Sequence, residues 1–201
     1  MNLSACSSLP TSPETGTWYR AVDTRFLAAH FIHSRMKISI TRFNAGRKLK
    51  PANRYACLYL VDDPTCAQYE VGQQLGFPTP GNYVANKQKS FAQLTIQVVL
   101  NRVADISDPR SQASLATSVQ ELTGDWKGYD YRTPYTSVRA PTGVSDTQHL
   151  GHALYTTGIE GFKATSAKLP WHQVLVVFPD NLSLGSSIVY REGSKVIHSI
   201  P

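Results

Sequence analysis

A chain of 201 residues, 41% apolar and 17% charged, can bury one sizeable core without disulfide or metal staples and lies far from the disordered regime. No apolar run approaches the roughly 20 residues that span a bilayer. The net charge of +6, from 20 Lys and Arg against 14 Asp and Glu, points toward anionic partners and away from cationic ones.

The first 17 residues, Met1 to Thr17, are polar and rich in Ser, Thr and Pro. They lack the basic head and apolar core of a Sec-type signal peptide. They read as a flexible arm before a single domain spanning 18–201. Trp18 to Val22 fits a short strand, and Phe26 to Phe31 is apolar without a clear period. From Arg25 to Val61 there is no acid but a block of cations: Arg25, Arg35, Lys37, Arg42, Arg47, Lys48, Lys50 and Arg54. Such a block is either a solvated face or a seat for a polyanion, whether nucleic acid, an acidic protein or nucleotide phosphates. It contains no helix-turn-helix, zinc finger or aromatic RNA platform.

Tyr55 to Val61 predicts a buried strand. Asp63 and Pro64 then suit the N-cap and first position of a helix running to about Leu75, stopped by Gly76 and Pro78. Leu94 to Val99 predicts another strand. Asp108-Pro109 opens a helix over Arg110 to Leu122 that Gly124 closes, and a third helix follows Asp146 and stops at Gly158. Gln173 to Phe178 is a strongly apolar strand. Ser187 to Arg191 and Lys195 to Ser199 form a hairpin about Glu192-Gly193. Helices and strands mix without a βαβ rhythm, which predicts a single α+β domain with central strands and flanking helices.

The chain has no Gly-rich phosphate loop, HExxH or GxSxG. His149 and His152 lie three apart on the third helix, where they either share a metal or sit at the helix surface; no metal site is expected. The odd number of cysteines, Cys6, Cys57 and Cys66, follows no metal-ligand spacing and suits a reducing cytosol, although export by a route without a cleaved signal fits the sequence too. Cys57 and Cys66 lie in or beside apolar segments, where buried thiols are usually inert.

The informative stretch is Thr41-Arg42-Phe43-Asn44-Ala45-Gly46, then Cys57-Leu58-Tyr59-Leu60, then Ala67-Gln68-Tyr69-Glu70-Val71. Glu70 falls in the first turns of a helix after a buried strand and needs a partner there. It either forms a salt bridge to an upstream Arg that ties helix to loop, or faces a cleft.

At these residues the chain resembles the RES-domain family, named for the Arg, Glu and Ser that its members share. Tyr19-Arg20 matches the opening aromatic-Arg pair. Arg42-Phe43-Asn44-Ala45-Gly46 matches the Arg-aromatic-Asn turn, with the Gly one place early. Leu58-Tyr59-Leu60 matches the Tyr-bearing strand, and Ala67 to Glu70 matches the helix. Asp125-Trp126 and Thr147-Gln148-His149-Leu150-Gly151 resemble further landmarks. Gly161 to Lys168 and Val174 to Pro179 fit the late Ser-containing element and the apolar strand. Lys168 stands where Arg is common, which weakens the case for a bidentate contact there. The Phe-Asn that follows Arg42 selects it over Arg54.

The resemblance implies a fold like that of ADP-ribosyltransferase toxins and a cleft that binds NAD⁺ as substrate, with no separate cofactor. It implies cleavage of the nicotinamide–ribose bond with phosphate or water as acceptor, so that the protein acts as an NAD⁺ phosphorylase or glycohydrolase and stops bacterial growth by NAD⁺ depletion. ADP-ribosylation of a protein, or a basic nucleic-acid-binding module without catalysis, are the alternatives. The implied partner is a Xre-like antitoxin or an immunity protein that blocks the cleft, with DNA engaged only through the antitoxin. Glu70 and Arg42 would be catalytic, Glu70 stabilising an oxocarbenium-like ribose as glycosidase carboxylates do. Arg20, Arg42, Tyr59 and Ser166 would bind substrate, or Arg20 would brace the first strand.

Overall fold

The computed structural model describes residues 1–201 except 30, 73, 76–83, 86–89, 129–142 and 193. Its frame is a sheet ordered β1-β2-β7-β6-β5-β8-β9, with β1 also pairing β5, so that part of the sheet closes on itself. The strands are β1 (Thr11–Asp23), β2 (Leu58–Val61), β5 (Phe91–Asp105), β6 (Gly161–Thr165), β7 (Gln173–Val177), β8 (Ser187–Glu192) and β9 (Lys195–Ile200); β3 (Gln74–Leu75) and β4 (Val84–Ala85) pair separately. The long ladder is β1 on β5, antiparallel from Thr11 opposite Ala104 to Asp23 opposite Phe91. The closure rests on Tyr19 opposite Val61 between β1 and β2.

Strand alternation sorts the core into two layers. Leu58 and Leu60 of β2, and Leu175 and Val177 of β7, point into an interior shared with Trp18, Leu94, Ile96, Val98 and Leu100. Val61, Val174 and Val176 point the other way, into a second core with Phe43, Tyr55, Leu150, Leu154 and Phe162. Both faces of β2 and β7 are therefore covered, which explains why their sequences are apolar throughout rather than alternating. The helices are α1 (His33–Ile38), α2 (Pro64–Glu70), α3 (Pro109–Ser114), α4 (Val119–Thr123) and α5 (Asp146–Thr156). Intermixed strands and helices confirm a single α+β domain. Among the described residues no helix is long and apolar enough to cross a membrane.

Three expectations are corrected. Met1 to Thr17 is not a flexible arm. Leu3–Ser8 forms a 3-10 helix with Cys6 buried, Asn2 N–H donates to Leu115 O at 2.6 Å, and Thr11 onward belongs to β1. The outer half of β1 is exposed, so polar side chains suffice there while the backbone ladder to β5 supplies the order. Second, α2 ends at Glu70, because Gly72 takes a left-handed φ of +71° two residues later. Gly76 and Pro78, the expected stops, lie outside the described residues. Third, the helix over Arg110 to Leu122 is split in two. Ala116 sits at φ +47°, and Ser118 starts α4 by accepting from Glu121 N–H. The remaining helix starts as expected: Asp63 caps α2 by accepting from Cys66 N–H, and Ser145 caps α5.

Candidate active site

The Arg42 turn is fixed from several directions. Thr41 and Asn44 exchange backbone hydrogen bonds, at 2.8 Å from Thr41 N–H and 3.3 Å from Asn44 N–H. The buried Asn44 amide donates to Met36 O and Tyr55 O, both at 3.2 Å, and its carbonyl accepts from Gly46 N–H at 2.8 Å. Tyr55 donates its hydroxyl to Phe43 O at 2.6 Å. With the backbone held, the Arg42 side chain reaches the cleft wall, where Nη1 donates to Leu122 O at 3.0 Å and Gly124 O at 2.7 Å. These carbonyls close α4, and a cation is favoured there. Burial lowers the Arg42 pKa, opposed by Glu70, Tyr59 and Asp125 nearby.

Helix α5 packs against the same turn. A Cβ on Gly151 would overlap the Phe43 carbonyl. Gly151→Ala gains up to about 1 kcal/mol of helix propensity, but overpacking against fixed backbone costs about 1–3 kcal/mol. The expected net result is a lower Tm and a weakened Arg42 turn, read by thermal denaturation alongside activity. A Tm at or above that of the wild type would show that the contact is soft.

Tyr59, on β2, was expected to offer its ring and hydroxyl to substrate. The ring lines the cleft, but the hydroxyl accepts from Thr41 Oγ1 and Phe43 N–H, both at 2.7 Å. It therefore fastens the turn that carries Arg42. Burial raises the Tyr59 hydroxyl pKa well above its usual value, so it stays a neutral phenol.

Glu70 lies at the last residue of α2, not in the first turns, and is exposed at the cleft. Among the described residues no cation stands within 4.0 Å of it, so the helix-to-loop salt bridge is not formed with them. Its partner is Ser166, which donates Oγ–H to Glu70 Oε1 at 2.6 Å. Ser166 is fully buried, and its oxygen also accepts from Lys168 N–H and Leu169 N–H, both at 3.1 Å, and from the Cys66 thiol at 3.5 Å. Ser166 was expected to bind substrate. Ser166 spends its hydrogen-bonding capacity on orienting Glu70 and turning the chain after β6.

Arg20 on β1 is half-buried at the cleft, and its Nη1 donates to Tyr59 O at 2.7 Å. Its buried Nε has no hydrogen-bond partner among the described residues. Burial lowers the guanidinium pKa to about 10, so it remains a cation at neutral pH. A buried donor without a partner is costly unless a ligand satisfies it.

Arg20, Arg42, Tyr59 and Glu70 line one cleft of about 590 Å³, within the range of small-molecule sites, whereas Ser166 lies behind its wall. Among the described residues Arg20, Arg42, Lys127 and Lys168 line it against Glu70 and Asp125, giving four cations to two carboxylates. Arg54 does not line it: Nε donates to Leu49 O at 3.0 Å and Nη2 to Arg47 O at 3.4 Å. The rest of the basic block is dispersed. Arg25 pairs with Asp23 at 2.6 Å and Lys37 with Asp180 at 3.3 Å. Burial pushes the Cys57 and Cys66 thiols up to about 12, which removes either as a thiolate nucleophile at neutral pH. His152 packs its ring 5.7 Å from that of Tyr55. No cluster of three or more His, Cys, Asp or Glu side chains suited to a metal occurs among the described residues. Trp126 and Lys127 join the cleft wall without having been assigned a role from sequence, although Asp125-Trp126 stood out as a landmark.

The family model of the RES domain matches residues 17–193. The chain belongs to the RES-domain family. A solved relative of this RES chain is a chain of the crystal structure of the M. tuberculosis MbcT–MbcA toxin–antitoxin complex. The two share 17% identity with a TM-score of 0.63, over 98% of this chain and 90% of the other, which shows a common fold. None of the curated proteins compared matches the chain.

Proposed function

We propose that this RES protein is an NAD⁺-consuming toxin that cleaves the nicotinamide–ribose bond. The observation that carries the reading is a carboxylate, Glu70, oriented by a buried serine and opening onto the same cleft as two half-buried arginines, one with an Nε left without a partner among the described residues. That set suits a substrate with a diphosphate at one part and a positively charged glycosidic centre at another. Arg20 and Arg42 would neutralise the diphosphate, and Arg guanidinium forks suit phosphate oxygens.

In the reaction the C1′–N bond breaks and nicotinamide leaves with the electron pair as a neutral base. Glu70 stabilises the positive charge that grows on the ribose, and phosphate or water adds at C1′, water releasing a proton. The products are nicotinamide with ADP-ribose 1″-phosphate, or with ADP-ribose. The fold shared with a chain of a toxin–antitoxin complex supports a protein partner.

Purified protein, freed of any inhibitor, should deplete NAD⁺ and release free nicotinamide, faster with phosphate if phosphate is the acceptor. Intact NAD⁺ with and without phosphate, from folded protein, overturns the reading. Label from NAD⁺ that appears on a macromolecule would instead favour transfer of ADP-ribose to protein.

A further inference from the structure

From the Thr147-Gln148-His149-Leu150-Gly151 segment, Leu150 packs in the core and Gly151 meets the Arg42 turn. Gln148 is a buried polar residue in the first turn of α5, 1% exposed, and every polar atom of its amide is engaged. Oε1 accepts from Ser145 N–H at 3.1 Å, while Gln148 N–H donates to Ser145 Oγ at 3.4 Å, which makes a capping box. Nε2 turns away from the helix and donates to Thr41 O at 2.8 Å and Asn44 O at 3.4 Å, the two carbonyls that close the Arg42 turn.

A helix cap alone does not call for this residue. Glutamate completes a capping box as well as glutamine does and interacts better with the positive end of the helix. Only an amide can accept from the cap and donate to two carbonyls at once. The turn is fastened to β2 by Tyr59 and to the Tyr55 segment by Tyr55 itself, and Gln148 adds its attachment to α5.

We propose that Gln148 is a positioning residue that locks the Arg42 turn to the start of α5 and thereby sets the Arg42 guanidinium in the cleft. The kinetic part of this inference rests on the NAD⁺-cleaving reading; the structural part does not.

Two variants separate the cap from the lock. Gln148→Glu keeps the acceptor for Ser145 N–H and loses the donor to Thr41 and Asn44. Gln148→Met keeps the volume and loses both. The first measurement needs no substrate: amide hydrogen exchange over 41–44, referenced to Leu94–Leu100 of β5. Both variants should speed exchange at the turn about ten-fold and leave β5 unchanged. Unchanged exchange at the turn overturns the proposal.

The second measurement is a double-mutant cycle on NAD⁺ loss at high enzyme concentration. Gln148→Glu should lower kcat/KM about 10- to 100-fold in the wild-type background, the scale of a misplaced catalytic group. In an Arg42→Ala background it should change kcat/KM less than about two-fold, because the group it positions is gone. Equal losses in both backgrounds reduce Gln148 to a scaffold residue and overturn the positioning role. If the wild-type protein leaves NAD⁺ intact, the activity reading fails, and the exchange data alone decide whether Gln148 holds the turn.

Discussion

Glu70→Gln should lower the rate of NAD⁺ cleavage by about 10²–10³-fold, while the fold and the Ser166 contact survive. The size follows from the worth of one preorganised group facing a developing charge, about 2.7–4 kcal/mol by analogy with oxyanion-hole deletions. Glutamine is nearly isosteric and still accepts the Ser166 hydrogen at the oxygen that Glu70 now presents at 2.6 Å. What disappears is the negative charge, so the loss belongs in kcat more than in KM. Ser166→Ala makes a useful contrast. It keeps the charge but frees Glu70 to rotate, and it leaves Lys168 and Leu169 N–H without their acceptor. Its loss of activity should be smaller and accompanied by a lower Tm. Steady-state NAD⁺ consumption, together with growth inhibition on expression, reads both variants. Full activity in Glu70→Gln would move the chemistry to another residue.

The largest effect on stability is expected far from the cleft, at Glu160, just before β6. Its carboxylate is fully buried and accepts from Asn101 N–H at 2.5 Å, Arg102 N–H at 3.3 Å, Ser183 N–H and Oγ–H, and Ser186 Oγ–H at 2.8 Å. These bonds join β5 to the loop before β8. Burial alone would raise its pKa, but the donors from Ser183, Ser186 and Asn101 outweigh that and hold it below the ordinary carboxylate range. Glu160→Gln turns one accepting oxygen into an NH₂ that meets donors, and Glu160→Ala leaves several donors buried and unpaired. Either should cost about 3 kcal/mol or more, roughly 6–12 °C in Tm for a chain of this size.

The pH dependence has a definite sign. A depressed folded pKa means that the unfolded chain binds the proton more readily. The contribution from Glu160 is therefore full above the unfolded carboxylate value of about 4.3 and is lost as pH falls through the folded value. Urea midpoints from pH 7 to pH 3 should fall more steeply below that point in the wild type than in Glu160→Gln. Parallel curves would remove Glu160 as the source.

The sequence made legible those features that local patterns encode. The apolar run over β2, the Asp63-Pro64 helix start and the Phe-Asn after Arg42 each have a short-range physical signal, and each led to the correct element or to a residue on the cleft. What was not legible depends on distant partners. β1 reads as polar because its order comes from β5, some eighty positions away. Ser166 is named by its motif, but that its hydroxyl faces Glu70 rather than open space follows only from how β6 passes α2. Gln148 sat in a recognised landmark, yet its reach to Thr41 crosses 107 positions. Glu160 carries no local mark at all, since its donors come from two other segments.

The closure of the sheet also bears on how the protein is made. Among the described residues the cleft takes its walls from Tyr19 near the start of the chain to Val174 on β7, so no nascent chain that ends before Val174 contains them all. At roughly 5–20 residues per second, the first strand waits several seconds on the ribosome for β5 to emerge. Catalytic competence should therefore arrive late and all at once in translation. Proteolytic pieces and stalled chains lacking β7 should be inert.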